Sequence, residues 1–170
     1  ALAPPVTTSP TTSAPAPTTT TTAPPSTTSS EPNSSNTGVP AGTSLLNLDS
    51  APSEALPAAN SSPAGCASWY AGSGLWTNQD GCTIKNVQYT GDFVVQNNNT
   101  TLDAVRIIGP GTEASGNMIV KDDFGGTTYT GTVIENSDIH DGTSQGSMWC
   151  VANANFSLVN DNIYGCTHDI

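Results

Sequence analysis

Along the second half of this chain, apolar positions return at a fixed interval with polar residues between them. From Thr132 to Asp141 it reads TVIENSDIHD, and the stretch from Phe156 to Gly165 reads FSLVNDNIYG, 24 residues further on when counted from position 134 to position 158. Written as apolar, x, Asn, x, x, apolar, the two copies superpose as Ile134, Asn136, Ile139 and Leu158, Asn160, Ile163. The same spacing occurs twice upstream, as Ile84, Asn86, Tyr89 and as Leu102, Ala104, Ile107. The first apolar residue reads as the inward position of one short strand, the Asn as a tight bend, and the second apolar residue as the inward position of the next strand. Further strand-like runs precede the copies at Phe93 to Val95, Met118 to Val120 and Met148 to Val151. A period of this size marks stacked units that bury a continuous core between neighbours, here with three strands per turn.

This pattern, a TIxNSxI-like unit of one coil with Asn in the bend between its second and third strands, resembles the right-handed parallel β-helix of the pectate-lyase-like superfamily. The resemblance covers residues 66–170 and implies an all-β fold of about four coils, with Asn86, Asn136 and Asn160 stacked into a ladder that Ala104 interrupts. Side-chain amides both donate and accept, so copies one strand spacing apart can bond to one another and to the turn backbone. An ordinary β-sandwich with Asn-rich turns is the alternative fold.

Composition divides the chain near residue 63. Residues 1–63 form a Thr, Pro, Ser and Ala tract without Lys, Arg or aromatic residues, which gains too little apolar burial to offset its chain entropy. It is expected to be a disordered linker or stalk, with Leu45, Leu46 and Leu48 as its one apolar patch and Ser/Thr available for O-glycosylation. Residues 64–170 are the expected β-helix domain, with an N-terminal cap over about 64–80 that contains Trp69, Tyr70 and Trp76. Such a cap closes the open end of a stack, and a sugar-stacking platform is the functional alternative for the same aromatic residues. The last residues, GCTHDI, begin a fifth coil, so the C-terminal end reads as incomplete and as requiring a continuation or a capping partner.

The opening Ala1-Leu2-Ala3 has the small-x-small form of a signal-peptidase site, which points to export and a secreted or cell-surface location. Four cysteines without a CxxC pair favour two disulfides over a zinc site. Of three connectivities, Cys66 with Cys82 and Cys150 with Cys166 is preferred because each joins residues within about one coil; buried free thiols are the alternative. No stretch is long and apolar enough to span a membrane. Residues 64–170 hold three basic residues against eleven acidic ones, a balance of −8, so nucleic acid is not an expected partner.

Candidate chemistry follows from the resemblance. Lyases of that superfamily bind polysaccharide along the first-strand face, take a proton with Lys or Arg, and use carboxylate-held calcium to acidify it. On this chain Lys121, Asp122 and Asp123 supply the base-and-carboxylate cluster, in a turn lengthened over Lys121 to Thr130, and Asp122, Asp123 and Glu113 are the candidate calcium ligands. His140 and Asp141, and the later His168 and Asp169, are secondary acid/base candidates. The hydrolase signatures Asn-Thr-Asp, Gly-His-Gly and Arg-Ile-Lys are absent. The expected function is therefore a secreted domain that binds a polysaccharide or cell-surface glycan, part of a lyase or glycoside hydrolase; the alternative is a non-catalytic adhesion or structural rod.

Overall fold

The computed structural model describes residues 36–109, 118–122, 127–142, 149–152 and 155–167, without the side chains of 118 and 122. Its regular structure is all β, and no helix occurs among the described residues. Four short strands build one end: β1 (Leu46–Asn47), β2 (Glu54–Ala55), β3 (Ser61–Ser62) and β4 (Ala67–Tyr70). Twelve more follow in order: β5 (Gly74–Thr77), β6 (Thr83–Lys85), β7 (Val87–Thr90), β8 (Asp92–Val95), β9 (Thr101–Asp103), β10 (Arg106–Gly109), β11 (Met118–Asp122), β12 (Thr132–Glu135), β13 (Asp138–Asp141), β14 (Trp149–Val151), β15 (Phe156–Val159) and β16 (Asn162–Tyr164).

Three sheets result. The first has the order β14-β11-β8-β5-β4-β2, the second β15-β12-β9-β6-β3, and the third β1-β7-β10-β13-β16. From β5 onward the chain visits first, second and third sheet in rotation, and every pairing among these twelve strands is parallel. Parallel neighbours cannot be joined by a hairpin, and here each return to a sheet passes through the other two. The arrangement is compatible with a parallel β-helix.

Register places the expected repeats on top of one another. Ile84, Leu102, Ile134 and Leu158 are successive partners in the second sheet, and Tyr89, Ile107, Ile139 and Ile163 in the third. Leu75, Phe93, Val120 and Val151 make the matching inward stack of the first sheet. Because side chains alternate along a strand, one residue of slip would turn each stack to solvent, so burial itself fixes the register. These residues are buried except Leu158 and Ile163, which lie on the last strands and are half-buried.

The bends between second and third sheet repeat in backbone as well as in sequence. Asn86, Ala104, Asn136 and Asn160 all adopt left-handed φ, at 55°, 54°, 52° and 60°. Asn tolerates this region better than Ala, for which it costs roughly 1–2 kcal/mol. Asn160 Nδ2 donates to Asn136 Oδ1 at 3.0 Å, and Asn136 Nδ2 donates to Asp103 Oδ1 at 3.1 Å. The rung missing at Ala104 is thus supplied by the residue before it.

The N-terminal boundary differs from the expected one. Residues 36–62 belong to the folded body, and the end cap begins near residue 46 rather than 64. Leu48 and Leu56 are 3% exposed in the core, Trp69 packs on Tyr89 with ring centroids 5.3 Å apart, and Trp69 Nε1 donates to the Ala51 carbonyl. Strands β2, β3 and β4 run antiparallel to their neighbours, which halts the parallel stack at this end. A composition dominated by Pro, Ser and Thr hides two buried leucines whose backbone N–H groups donate to later strands, to the Gln88 and Ala67 carbonyls. Residues 1–35, the rest of the expected linker, lie outside the described residues.

Ahead of the cap, residues 38–48 cross the outside of the third sheet. The Gly38 N–H donates to the Asn160 carbonyl at 2.7 Å, whereas the Leu46 and Leu48 N–H groups donate to Asn86 and Gln88 at 2.9 Å. The chain therefore runs from the last bend back to the first. A Cβ at Gly38 would overlap the Asp138 carboxylate, so this crossing is held close to the sheet. Disulfides Cys66–Cys82 and Cys150–Cys166 close the two ends of the stack, in the preferred connectivity.

One bend titrates. Asp161 accepts the Ser137 N–H at 2.8 Å and the Val159 N–H at 3.0 Å. Burial first, and then the negative charges of Glu135 and Asp138, push its pKa up to about 6 against the lowering effect of those two bonds. A carboxyl whose folded pKa lies above its unfolded value is favoured in the folded state while protonated. Its ionisation therefore removes stability as pH rises from about 4 through about 6. We expect the melting midpoint of the wild type to fall between pH 5 and pH 7.5 relative to Asp161→Asn, measured by circular dichroism. Parallel pH profiles for the two proteins would reject this assignment.

Candidate functional site

The outer face of the first sheet carries the residues with the most to offer a ligand. Alternation sends Leu75, Phe93 and Val120 inward and leaves Trp76, Val94 and Lys121, successive partners in register, on the outside. Tyr70 ends β4 on the same outer face, opposite Gly74. The turn that follows is closed by the Ser73 N–H donating to the Tyr70 carbonyl at 2.9 Å.

Tyr70 is 45% exposed and meets Trp76 edge to face, with centroids 6.1 Å apart and planes at 81°. Together with Ser73 they line an open hollow of about 300 Å³. The Trp76 indole N–H is itself buried, with no acceptor among the described residues. A donor without a partner in a buried position is uncommon and costs stability.

Lys121 lies on this face as well, one strand beyond Val94, and pairs with the Asp92 carboxylate. Both side chains are mostly covered, at 18% and 25% exposure. In a covered site an ion pair holds both groups in fixed positions. An ammonium that already donates to a carboxylate is placed to orient an anion or a hydroxyl; as a proton acceptor it would first have to give up that contact.

Of the other candidates, His140 and Asp141 lie on a different sheet from Lys121. Asp122 ends β11 opposite Val95, while Asp123, Glu113, His168 and Asp169 lie outside the described residues. Among the described residues no cluster of three or more His, Cys, Asp or Glu side chains is gathered as for a metal ion. His140 sits on the third sheet, stacked on Tyr164 at 4.8 Å and nearly coplanar with it. Its Nδ1 lies 3.1 Å from the backbone carbonyl of Asp141, whose carboxylate points to the buried side of the strand. The two residues therefore do not form an imidazole-carboxylate pair, because neighbours in a strand face opposite ways.

One participant was not singled out by sequence reasoning. Asp92 is 29 residues from Lys121 and meets it only through the β8–β11 register. The split between Trp69, which is core, and Tyr70 with Trp76, which are surface, was available from the alternation of strands β4 and β5. No family model, no curated protein and no solved structure matches this chain.

Proposed function

We propose that this chain is a secreted, polysaccharide-interacting domain built as a right-handed parallel β-helix of the pectate-lyase-like kind. A glycan strand would lie along the outer face of the first sheet, with Tyr70 and Trp76 as its platform. The observation that carries this reading is the hollow of Tyr70, Ser73 and Trp76 beside the Lys121–Asp92 pair on one face. Aromatic rings present flat apolar surface with little entropy to lose, and a cation adds a directional contact for hydroxyl or carboxylate groups.

The rotation of the chain through three parallel sheets and the four equivalent left-handed bends support the β-helix assignment. Two disulfides fit an oxidising compartment, and among the described residues no helix is long and apolar enough to cross a membrane. In this reading residues 1–35 are a Thr/Pro stalk that holds the domain away from its attachment point. The engagement of Lys121 by Asp92 favours binding without turnover, as in an adhesion module. A lyase or hydrolase role, with calcium, would fall to Asp122, Asp123 and Glu113.

The test is a glycan array of neutral and acidic polysaccharides, read with wild type, Trp76→Ala and Tyr164→Ala. Trp76→Ala should bind its glycan at least tenfold more weakly, about 1.4 kcal/mol. Tyr164→Ala, an exposed aromatic on another sheet, should bind as wild type does. Equal binding by wild type and Trp76→Ala, or no glycan bound at all, would reject the assignment. Formation of unsaturated products, followed by ultraviolet absorbance, would replace the adhesion reading with the lyase one.

A further inference from the structure

The sequence contains five Asn-x-Ser/Thr triplets with no Pro at x, at Asn33, Asn60, Asn98, Asn99 and Asn155. Such a triplet is the acceptor for N-linked sugar only where the amide nitrogen can carry a bulky group outward. The fold sorts them. Asn33 lies outside the described residues.

Asn60 is 9% exposed, and both N–H bonds of its amide are spent, on the Lys85 and Asn86 carbonyls at 3.0 and 3.1 Å. A sugar there would replace one of these bonds and force the end cap away from the first bend. Asn98 is half-buried, and its Oδ1 accepts both the N–H and the hydroxyl of Thr130. Its triplet also ends in Thr100, which is fully buried with its hydroxyl turned to the Asn97 carbonyl. Asn155 is exposed but donates its amide to the Tyr129 carbonyl at 3.5 Å.

Asn99 differs on each count. It is exposed, at φ 56° in the turn between β8 and β9, and its backbone N–H is already satisfied by the Thr130 carbonyl at 2.8 Å. Its side-chain amide nitrogen donates to nothing among the described residues. The amide oxygen lies over Gly131, where a Cβ would meet it at 2.5 Å and the Asn99 Cα at 3.4 Å. A glycine therefore leaves the space that sets this side chain. Strand register puts Tyr70 level with Gly74 and Asp92 and Trp76 level with Val94, whereas Asn99 follows the Val95 end of β8 by four residues.

We infer that Asn99 carries an N-linked oligosaccharide in the secreted protein. The donor class is a lipid-diphosphate-linked oligosaccharide. The Asn99 Nδ2 forms a bond to the anomeric carbon, the carbon–oxygen bond to the lipid diphosphate breaks, and the nitrogen gives up one proton. The passage through an oxidising secretory compartment that the two disulfides call for is the same route on which this transfer takes place.

The experiment is a peptide map of the full chain secreted from a eukaryotic host, after removal of N-glycans by an amidase in heavy-oxygen water. Labelled aspartate should appear at position 99 in most molecules, and asparagine should remain at position 60. Thr101→Ala should abolish the label at 99, and Thr101→Ser should restore it, because only the Asn99 triplet ends at residue 101. Unlabelled asparagine at 99 in the secreted wild type, or label at Asn98 that survives Thr101→Ala, would overturn the proposal. The wild-type map needs no variant to fold, and its outcome is independent of whether the aromatic hollow binds glycan.

Discussion

Replacing Gly74 by alanine is expected to unfold the junction between the end cap and the stack, lowering the melting midpoint by about 10 °C or more. Gly74 opens β5 at φ +113°, a region that only glycine enters without strain, and forcing another residue there costs about 1–3 kcal/mol. A Cβ on it would overlap the Asp92 carbonyl oxygen, with the Asp92 carbonyl carbon and nitrogen each 2.8 Å away. Those are backbone atoms of the paired strand β8 and cannot rotate aside, so the strands must separate, which adds roughly 1–3 kcal/mol. Gly72→Ala is the control. That residue also has positive φ, at 78°, but nothing lies within 4 Å of its missing Cβ, so only the local strain of about 1–2 kcal/mol is left. The gap between the two variants in thermal melts measures the close approach itself. Equal midpoints would show that β5 and β8 are not held together as described.

That junction also bears on function, since Asp92 is the partner of Lys121 and Trp76 follows Gly74 by two residues in the same strand. A variant that pushes β8 away from β5 should disturb the hollow and the ion pair together. Loss of glycan binding in Gly74→Ala is therefore no evidence for direct contact, and Trp76→Ala, on the surface, is the variant that reports on it.

The parts of this fold that were legible in the sequence are those where one physical requirement is repeated. Ile134 and Leu158, or Asn136 and Asn160, occupy equivalent places in successive turns, so the period reveals strand, bend and register at once. Cys150 and Cys166 follow from the same arithmetic. What happens once leaves no such trace. Leu48 and Leu56 enter the core from a stretch whose neighbours are Pro, Ser, Thr and Ala, and their burial depends on an open stack end far along the chain. Asp103 substitutes for the amide absent at Ala104, which a search for repeated Asn cannot find. The Lys121–Asp92 pair arises from a register between β8 and β11, two strands separated in the chain by β9 and β10, so residue spacing gave no reason to join them. His140 next to Asp141 looks like a dyad when written as letters, and the strand that holds both turns them to opposite sides.

Ile134→Ala is expected to cost about 2–5 kcal/mol, because a fully buried side chain is lost from the middle of a stack. Ile134 has no exposed surface and is the register partner of Leu102 on one side and Leu158 on the other. Both partners are fixed by parallel strands, so neither can move far enough to fill the cavity, and the cost should fall in the upper part of that range. Leu158→Ala removes as many carbons from the same column, but Leu158 sits on the edge strand β15 and is only half-buried. Part of its surface is already in water, and the space left behind opens to solvent instead of forming a void. The second substitution should therefore cost clearly less than the first in chemical denaturation of the same chain. A Leu158→Ala penalty equal to that of Ile134→Ala would mean that β15 is covered in solution. In that case a further strand or a partner lies on the edge of the second sheet, where Phe156 is half-buried as Leu158 is.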